Sequence, residues 1–518
     1  MHSTRNTDNC DGHTSDPSQK VVTGRTPPVT EHKRVFIGEE HHDPVTGRPH
    51  VTRARVSGDL PVTIQKQLAT WGLSPTAVQC EAIGALAGGL DVLAVWPTGA
   101  GKSLPPQTIT AVRPELGLRA TLVISPLIAL GADQDQRADK LDLYSAIWNS
   151  KIRGAVKHEI IQRLQADDID ILFTTPESLC GRLGELARGH VGLVWVDEGH
   201  VAISGRHFRE AWAICGEIVA AVNPRLRYCC TATCRRAQQD EIIRRCGLRD
   251  PVVIRIPPER PELRYLHVQR DIDSVCDVVR RHRGQRVLVY VATRRAADDL
   301  YAQLDCCGYR VGCYHGGMGG KGRAAVQDAF GKRDVDVVVA TDAFGLGIDY
   351  PDIRAVVLYD PASDVSAFVQ QAGRAGRDGR KAVIYVCSRG SEDGWDSRRY
   401  LVQSSFPAIE DIRAAWTFLK LRSVPAPIAA IARGCAMHYE QAESCVRWLR
   451  RKGLVSEARD NADRRRLLYR AVGDFNATDW DDHEAEQAEA LAALDELQAM
   501  WGLSADEIPA AIVRAFEN

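Results

Sequence analysis

No apolar run in this chain of 518 residues approaches the roughly 20 residues that an α-helix needs to cross a bilayer. Met1 to Thr30 is predominantly polar and lacks the charged start and apolar stretch of a secretion signal. These two absences predict a soluble, cytoplasmic protein with no membrane partner. An excess of charge is also missing. The 66 Lys and Arg against 67 Asp and Glu leave a net charge of −1, which excludes a globally basic nucleic-acid binder and leaves local patches to attract phosphate. Nor is there a disulfide framework: the fifteen cysteines are odd in number, scattered, and include the adjacent pairs Cys229/Cys230 and Cys306/Cys307, which fits a reducing compartment. Cys229, Cys230 and Cys234 could in principle hold a metal, but they lack the CxxC spacing of structural zinc sites and run out of an apolar strand, so no zinc is expected.

What is present belongs to a folded protein of several domains: 44% hydrophobic and 26% charged residues over a length too great for one core. Residues 1–57, rich in Thr, Pro, His, Asp and Gly, show no sustained periodicity and are expected to form a flexible arm. The His41-His42 pair suggests a metal, although histidines in polar loops are ordinarily just solvated. From about residue 60, short β-branched runs alternate with amphipathic stretches, the pattern of a parallel sheet covered by helices. Expected strands are Asp91 to Trp96, Thr121 to Ser125, Ile169 to Thr174, Leu193 to Asp197 and Arg227 to Ala232. After a Pro-rich passage come Arg286 to Ala292, Val335 to Ala340, Ala355 to Tyr359 and Ala382 to Cys387. The fold class is therefore α/β: two tandem lobes, 58–256 and 257–397, with ligands beyond the carboxyl ends of the strands. Residues 398–473 turn helical. Ile428, Ile431 and Ala432 suggest one helix, Cys445 to Leu449 a second, and Leu454-Val455 with Leu467 to Tyr469 a hairpin turning near Asn461. That order describes a winged helix, with a plain helical appendage as the alternative. Basic residues dominate from Ser444 to Arg470 and acidic ones follow from Asp474, either as solvated faces or as functional patches. Leu491, Leu494, Leu497 and Trp501 put a packing face on the acidic tail, 474–518.

Three motifs carry chemistry. Trp96-Pro-Thr98-Gly99-Ala100-Gly101-Lys102-Ser103, between a strand and a helix, is a P-loop for ATP. Its glycines let backbone N–H groups curl around phosphate, Lys102 supplies a point charge, and Ser103 can hold Mg²⁺. Trp96 stands where the general pattern has glycine. The run from Leu193 ends in Asp197-Glu198-Gly199-His200, which places one carboxylate for the metal and a second for the attacking water. His200 could link this site to the next lobe. In the second lobe, Gln370-Gln371-Ala-Gly-Arg374-Ala-Gly-Arg377-Asp378-Gly379 sets arginines on a Gly-hinged turn, where Arg377, assisted by Arg374, can neutralise charge on a transferred phosphoryl group.

The order of motifs from Gln79 to Gly379 resembles superfamily-2 helicases. Ser125-Pro-Leu-Ile-Ala-Leu130 with Asp133-Gln134, Asn149-Ser150, Thr175-Pro-Glu177, Thr231-Ala-Thr233, Arg260-Pro-Glu-Leu-Arg-Tyr265, Tyr314-His-Gly316 with Arg323, and Ala340 to Asp349 look specifically like the RecQ DNA helicases. The resemblance implies two RecA-like lobes, 3′-to-5′ movement on DNA, and a default role in repair and recombination. It implies that Gln79 reads adenine, that Asp349 joins the nucleotide site, and that Thr231 and Thr233 couple hydrolysis to movement. It further implies a strand-binding groove along Ser125, Asn149, Ser150, Thr175, Thr293, His315 and Thr341. His207, Phe208 and Arg209 stand where the family has an aromatic-rich loop.

Four departures qualify that picture. Ser204 to Arg209 is shorter than the family's loop and lacks its tryptophan. Pro75 to Val78 lacks the arginine expected before Gln79. Cys387, Cys435 and Cys445 are too far apart for the four-cysteine zinc module, and the tail is short for the family's terminal helical domain. An RNA-directed or duplex-translocating ATPase, and a DNA-binding scaffold with a decayed ATPase, are the competing readings.

Overall fold

The computed structural model describes residues 41–42, 49–50 and 59–517, except 127–134, 136, 150–151, 153, 180–186, 205–209, 345–349, 389–392, 460–466 and 477. In the first of two compact units, His41–His42 pairs antiparallel with Pro49–His50. The second unit spans Val56–Asn518.

The first lobe is built on strands β1 (Val92–Val95), β2 (Ala120–Ile124), β3 (Ser145–Trp148), β4 (Ile171–Thr174), β5 (Val191–Asp197), β6 (Leu226–Thr231) and β7 (Val252–Arg255). They form one sheet in the order β3-β4-β2-β5-β6-β1-β7, parallel at every pairing. Its central strands are buried on both faces, which is why they appear in the sequence as unbroken apolar runs. The second lobe adds β8 (Leu263–Gln269), β9 (Arg286–Tyr290), β10 (Val311–Tyr314), β11 (Val337–Ala340), β12 (Ile353–Leu358) and β13 (Ala382–Ser388) in the order β8-β13-β12-β9-β11-β10, again all parallel. Nine strands were expected; the additional four are β3, β7, β8 and β10, and each lies at a sheet edge. An edge strand is solvated on one side and needs no continuous apolar run. Strand β8 accordingly buries Leu263 and Tyr265 while exposing Arg264 and His267.

Beyond residue 398 the helices α1 (Ile409–Lys420), α2 (Ile428–Gly434) and α3 (Tyr439–Arg451) are followed by an antiparallel hairpin, β14 (Val455–Arg459) with β15 (Leu467–Ala471). An extra bridge joins Ala426 to Tyr469. The turn expected near Asn461 lies outside the described residues. This region has its own core around Ile412, Leu419, Ile431, Trp448 and Leu449.

The acidic tail forms α4 (Thr478–Trp501) and α5 (Ile508–Glu517). Trp480 at its start stacks on Trp448, with ring centroids 5.3 Å apart. Leu497, Met500, Trp501, Ile508, Ile512 and Phe516 then enter the core of the second lobe. The charge asymmetry has a structural counterpart, because Lys452 faces Asp479 at 3.8 Å and Arg451 faces Glu486 at 3.6 Å. Basic and acidic segments meet each other. No helix among the described residues is long and apolar enough to cross a membrane.

Candidate functional site

The P-loop leaves β1 through Trp96, whose side chain is fully buried and donates from Nε1 to the carbonyl of Ile254 on β7 at 3.1 Å. The departure from glycine at this position is therefore a packing choice. Gly101 has φ +72°, and a Cβ there would fall 2.3 Å from Nε2 of Gln79. Gln79 caps its own helix, accepting from the Thr76 N–H at 2.8 Å, and donates to the carbonyls of Ala100 and Gly101 at 3.1 and 3.3 Å. The Lys102 ammonium folds onto the carbonyls of Trp96 and Pro97 at 3.1 and 3.4 Å, and Tyr228 donates to the Lys102 carbonyl at 2.7 Å. Ser103 precedes a helix, Leu104–Ala111, whose first turn holds Pro105 and Pro106, where no intrahelical N–H is needed.

Asp197 ends β5 and is buried; its Oδ1 accepts from the Glu198 N–H at 3.1 Å and from the Cys230 thiol at 3.2 Å. Burial pushes that thiol well up, so it acts as a neutral S–H donor. Cys229, the next residue back on β6, belongs to the core on the opposite sheet face, so Cys229 and Cys230 do not converge on one point. Glu198 adopts φ +53°, a left-handed turn uncommon outside glycine. Burial alone would raise its carboxyl, but His200 beside it, together with the charges of Lys102 and Arg374, outweighs burial and holds the pKa at about 2. The carboxylate is ionised at neutral pH.

The second lobe meets these groups directly. Thr98 of the P-loop donates to the carbonyl of Gly373 at 3.1 Å. Gln370 donates to Nε2 of His200 at 3.2 Å and to Oγ1 of Thr233 at 3.1 Å. His200 Nδ1 lies 2.9 Å from Oγ1 of Thr231. The link expected of His200 thus exists. Arg374 is buried and its charge reaches Glu198, whereas Arg377 donates from Nε to the Gly373 carbonyl at 3.3 Å. Both arginines oppose the rise that burial imposes on the Tyr290 phenol, to about 12.

The strand order sorts the remaining candidates. In the first sheet the P-loop, Asp197-Glu198 and Thr231 to Thr233 follow the neighbouring strands β1, β5 and β6, while Ser125, Asn149 and Thr175 follow the neighbours β2, β3 and β4. In the second sheet Thr293, His315 and Thr341 follow β9, β10 and β11, again neighbours. The first sheet therefore divides these residues into two rows of neighbouring strand ends, and the second sheet gathers its three into one. Ser125, Asn149 and Thr175 are buried, Thr293 caps its helix by accepting from the Ala296 N–H at 3.0 Å, and His315 lies 3.1 Å from Asp298. Ser150, His207, Phe208, Arg209 and Asp349 lie outside the described residues.

Two contributions were not assigned from sequence: the Cys230 thiol on Asp197, and Gln370 as the connector of lobes. The second had a signal, since Gln370 opens the same Gln-Gln-Ala-Gly-Arg motif that carries Arg374. The first had none.

Residues 76–242 match the family model of DEAD/DEAH box helicases, and 270–379 that of the helicase conserved C-terminal domain. The chain is similar to the ATP-dependent DNA helicase RecQ of Synechocystis sp., 31% identical over 398 residues that cover 72% of this chain and 80% of that protein. It is 30% identical over 322 residues to the ATP-dependent DNA helicase RecQ of Pasteurella multocida, covering 61% of this chain and half of that one. A solved structure of Mycobacterium smegmatis helicase Lhr bound to ssDNA and AMP-PNP shares the fold, with TM-score 0.53 and 20% identity over 80% of this chain and 60% of that one.

Proposed function

The chain belongs to the RecQ-like helicases of superfamily 2, and from that premise we propose that it is an ATP-dependent DNA helicase that moves 3′ to 5′ along one strand and separates duplex ahead of it. The observation that carries this reading is the pair of bonds Gln370 makes to His200 and Thr233. They join the lobe bearing the carboxylates to the lobe bearing the arginines at the place where hydrolysis would occur.

The residues fit Mg²⁺ and ATP. A serine hydroxyl and a strand-end carboxylate, Ser103 and Asp197, are the hard oxygen donors that Mg²⁺ prefers, and when bound the ion neutralises charge on the phosphate oxygens. Thr98 to Ser103 cradle the phosphates, Lys102 exchanging its two loop carbonyls for phosphoryl oxygens. Glu198, held ionised, orients the attacking water and takes its proton. Arg374 and Arg377 stabilise the charge that builds on the transferred group. Thr231, Thr233 and His200 transmit the change to Gln370, so that closing and reopening of the cleft alternates the grip on the strand. Ser125, Asn149, Thr175, Thr293, His315 and Thr341 contact its backbone, with hydroxyl, amide and imidazole groups that position without reading sequence. We take α2, α3 and the hairpin β14/β15 as a winged helix that holds duplex.

A strand-displacement assay on 3′-tailed, 5′-tailed and blunt duplexes, with and without ATP, tests substrate, polarity and coupling together. ATP-dependent displacement restricted to the 3′-tailed duplex is expected. Displacement from the 5′ tail would reverse the polarity, and ATP turnover stimulated by RNA without any DNA displacement would replace the reading.

A further inference from the structure

Resting on that reading, we infer that Arg260 is a positioning residue for the arginine loop of the second lobe. The first lobe ends at β7 with Arg255 and the second begins at β8 with Leu263, so Arg260 lies in the short connection between them. Its side chain is largely enclosed, 14% exposed. Nη2 donates to the carbonyl of Ala375 at 3.0 Å and to that of Gly376 at 3.2 Å, the two residues that separate Arg374 from Arg377. Nε is paired with the carboxylate of Glu262, which sets the orientation of the planar fork. Glu262 is itself tied to the sheet, its carbonyl accepting from the Ala382 N–H on β13 at 3.0 Å.

The gripped segment needs such a support. Gly376 has φ +62° and sends its own N–H to the Ile353 carbonyl at 3.0 Å, so the chain turns sharply between the two arginines. From the other side, Arg354 holds the far end of the turn through Asp378 and the carbonyls of Arg380 and Lys381. Of these two supports, Arg260 is the one that lines the cleft. It shares a cavity lining with Pro97, Thr98, Gln370, Gly373 and Ile512. A change in the interlobe connection on cleft closure would therefore be passed to Arg374 and Arg377 through two backbone carbonyls. A largely enclosed charge-assisted donor is suited to that, because losing it takes from the Ala375 carbonyl its Arg260 partner, while the Gly376 carbonyl keeps the Gly379 N–H at 3.0 Å.

The test is DNA-stimulated ATP turnover of the full chain carrying Arg260→Ala, Glu262→Gln, Arg374→Ala or Arg377→Ala, and the Arg260→Ala/Arg374→Ala and Arg260→Ala/Arg377→Ala doubles, with thermal midpoints measured alongside. Arg260→Ala should lower kcat about tenfold while KM for ATP stays within about twofold, as displaced catalytic groups do. Glu262→Gln should give a smaller loss of the same kind, and it decides the matter if Arg260→Ala does not fold. In at least one double the Arg260→Ala loss should vanish. Unchanged kcat in Arg260→Ala, or in a folded Glu262→Gln if that variant decides, overturns the inference; so does a loss that multiplies independently in both doubles. If Arg374→Ala and Arg377→Ala both leave turnover unchanged, the helicase chemistry fails instead.

Discussion

Gln370 on the second lobe and His200 on the first are joined by a 3.2 Å hydrogen bond, with the same amide reaching Thr233 at 3.1 Å. One side chain of the second lobe therefore bonds to two groups of the first, one of them the His200 ring that lies beside Glu198. Gln370→Ala should leave ATP binding intact and reduce the stimulation of ATP turnover by single-stranded DNA about tenfold or more, a loss typical of coupled networks. Parallel measurements of nucleotide affinity and turnover with and without DNA check this. Full stimulation in the variant would mean that the lobes communicate elsewhere.

Glu198→Gln should lower ATP turnover by ~10²- to 10⁴-fold, the range for removal of a general base, with strand binding retained. The same substitution has a pH signature. The folded pKa of about 2 lies below the ordinary 4.5, so ionised Glu198 contributes stability that is complete above about pH 4.5 and fades as pH falls towards 2. The stability difference between wild type and Glu198→Gln, taken from urea midpoints, should be smaller at pH 3 than at pH 7. An equal difference at both would show that the carboxyl is not held low.

Gly101→Ala combines two costs: a left-handed φ of +72° and a Cβ 2.3 Å from the Gln79 amide. A stability loss of ~1 kcal/mol or more is expected from the backbone alone. Displacing Gln79 from the loop should weaken nucleotide binding at least about tenfold, equivalent to ~1.4 kcal/mol. Fluorescent-nucleotide titration measures the second effect and thermal melting the first.

Removing residues 505–518 should destabilise the second lobe far more than its position at the end of the chain suggests. Ile508, Ile512 and Phe516 are buried in that lobe's core, and each such side chain contributes ~1.5–3 kcal/mol. By contrast, Arg235→Ala deletes a partly exposed 2.6 Å pair with Glu496 and should cost no more than ~1 kcal/mol. Calorimetry of the two variants would separate them by many degrees.

The sequence by itself determined the lobes, the P-loop, and the order of the charged motifs. Buried parallel strands must be continuously apolar, and phosphate-binding turns need glycine at set places, so both leave a local record. It also located the carboxylates of Asp197 and Glu198 at a strand end. Tertiary structure alone decided which strand ends are neighbours, and hence that Asp197, Thr231 and the P-loop share one row while Ser125, Asn149 and Thr175 share another. It alone brought Gln370 to His200, the Cys230 thiol to Asp197, and the acidic tail to the second lobe's core. Those partners are tens to hundreds of positions apart, and such contacts arise from packing across the sheets, which leaves no periodic trace along the chain.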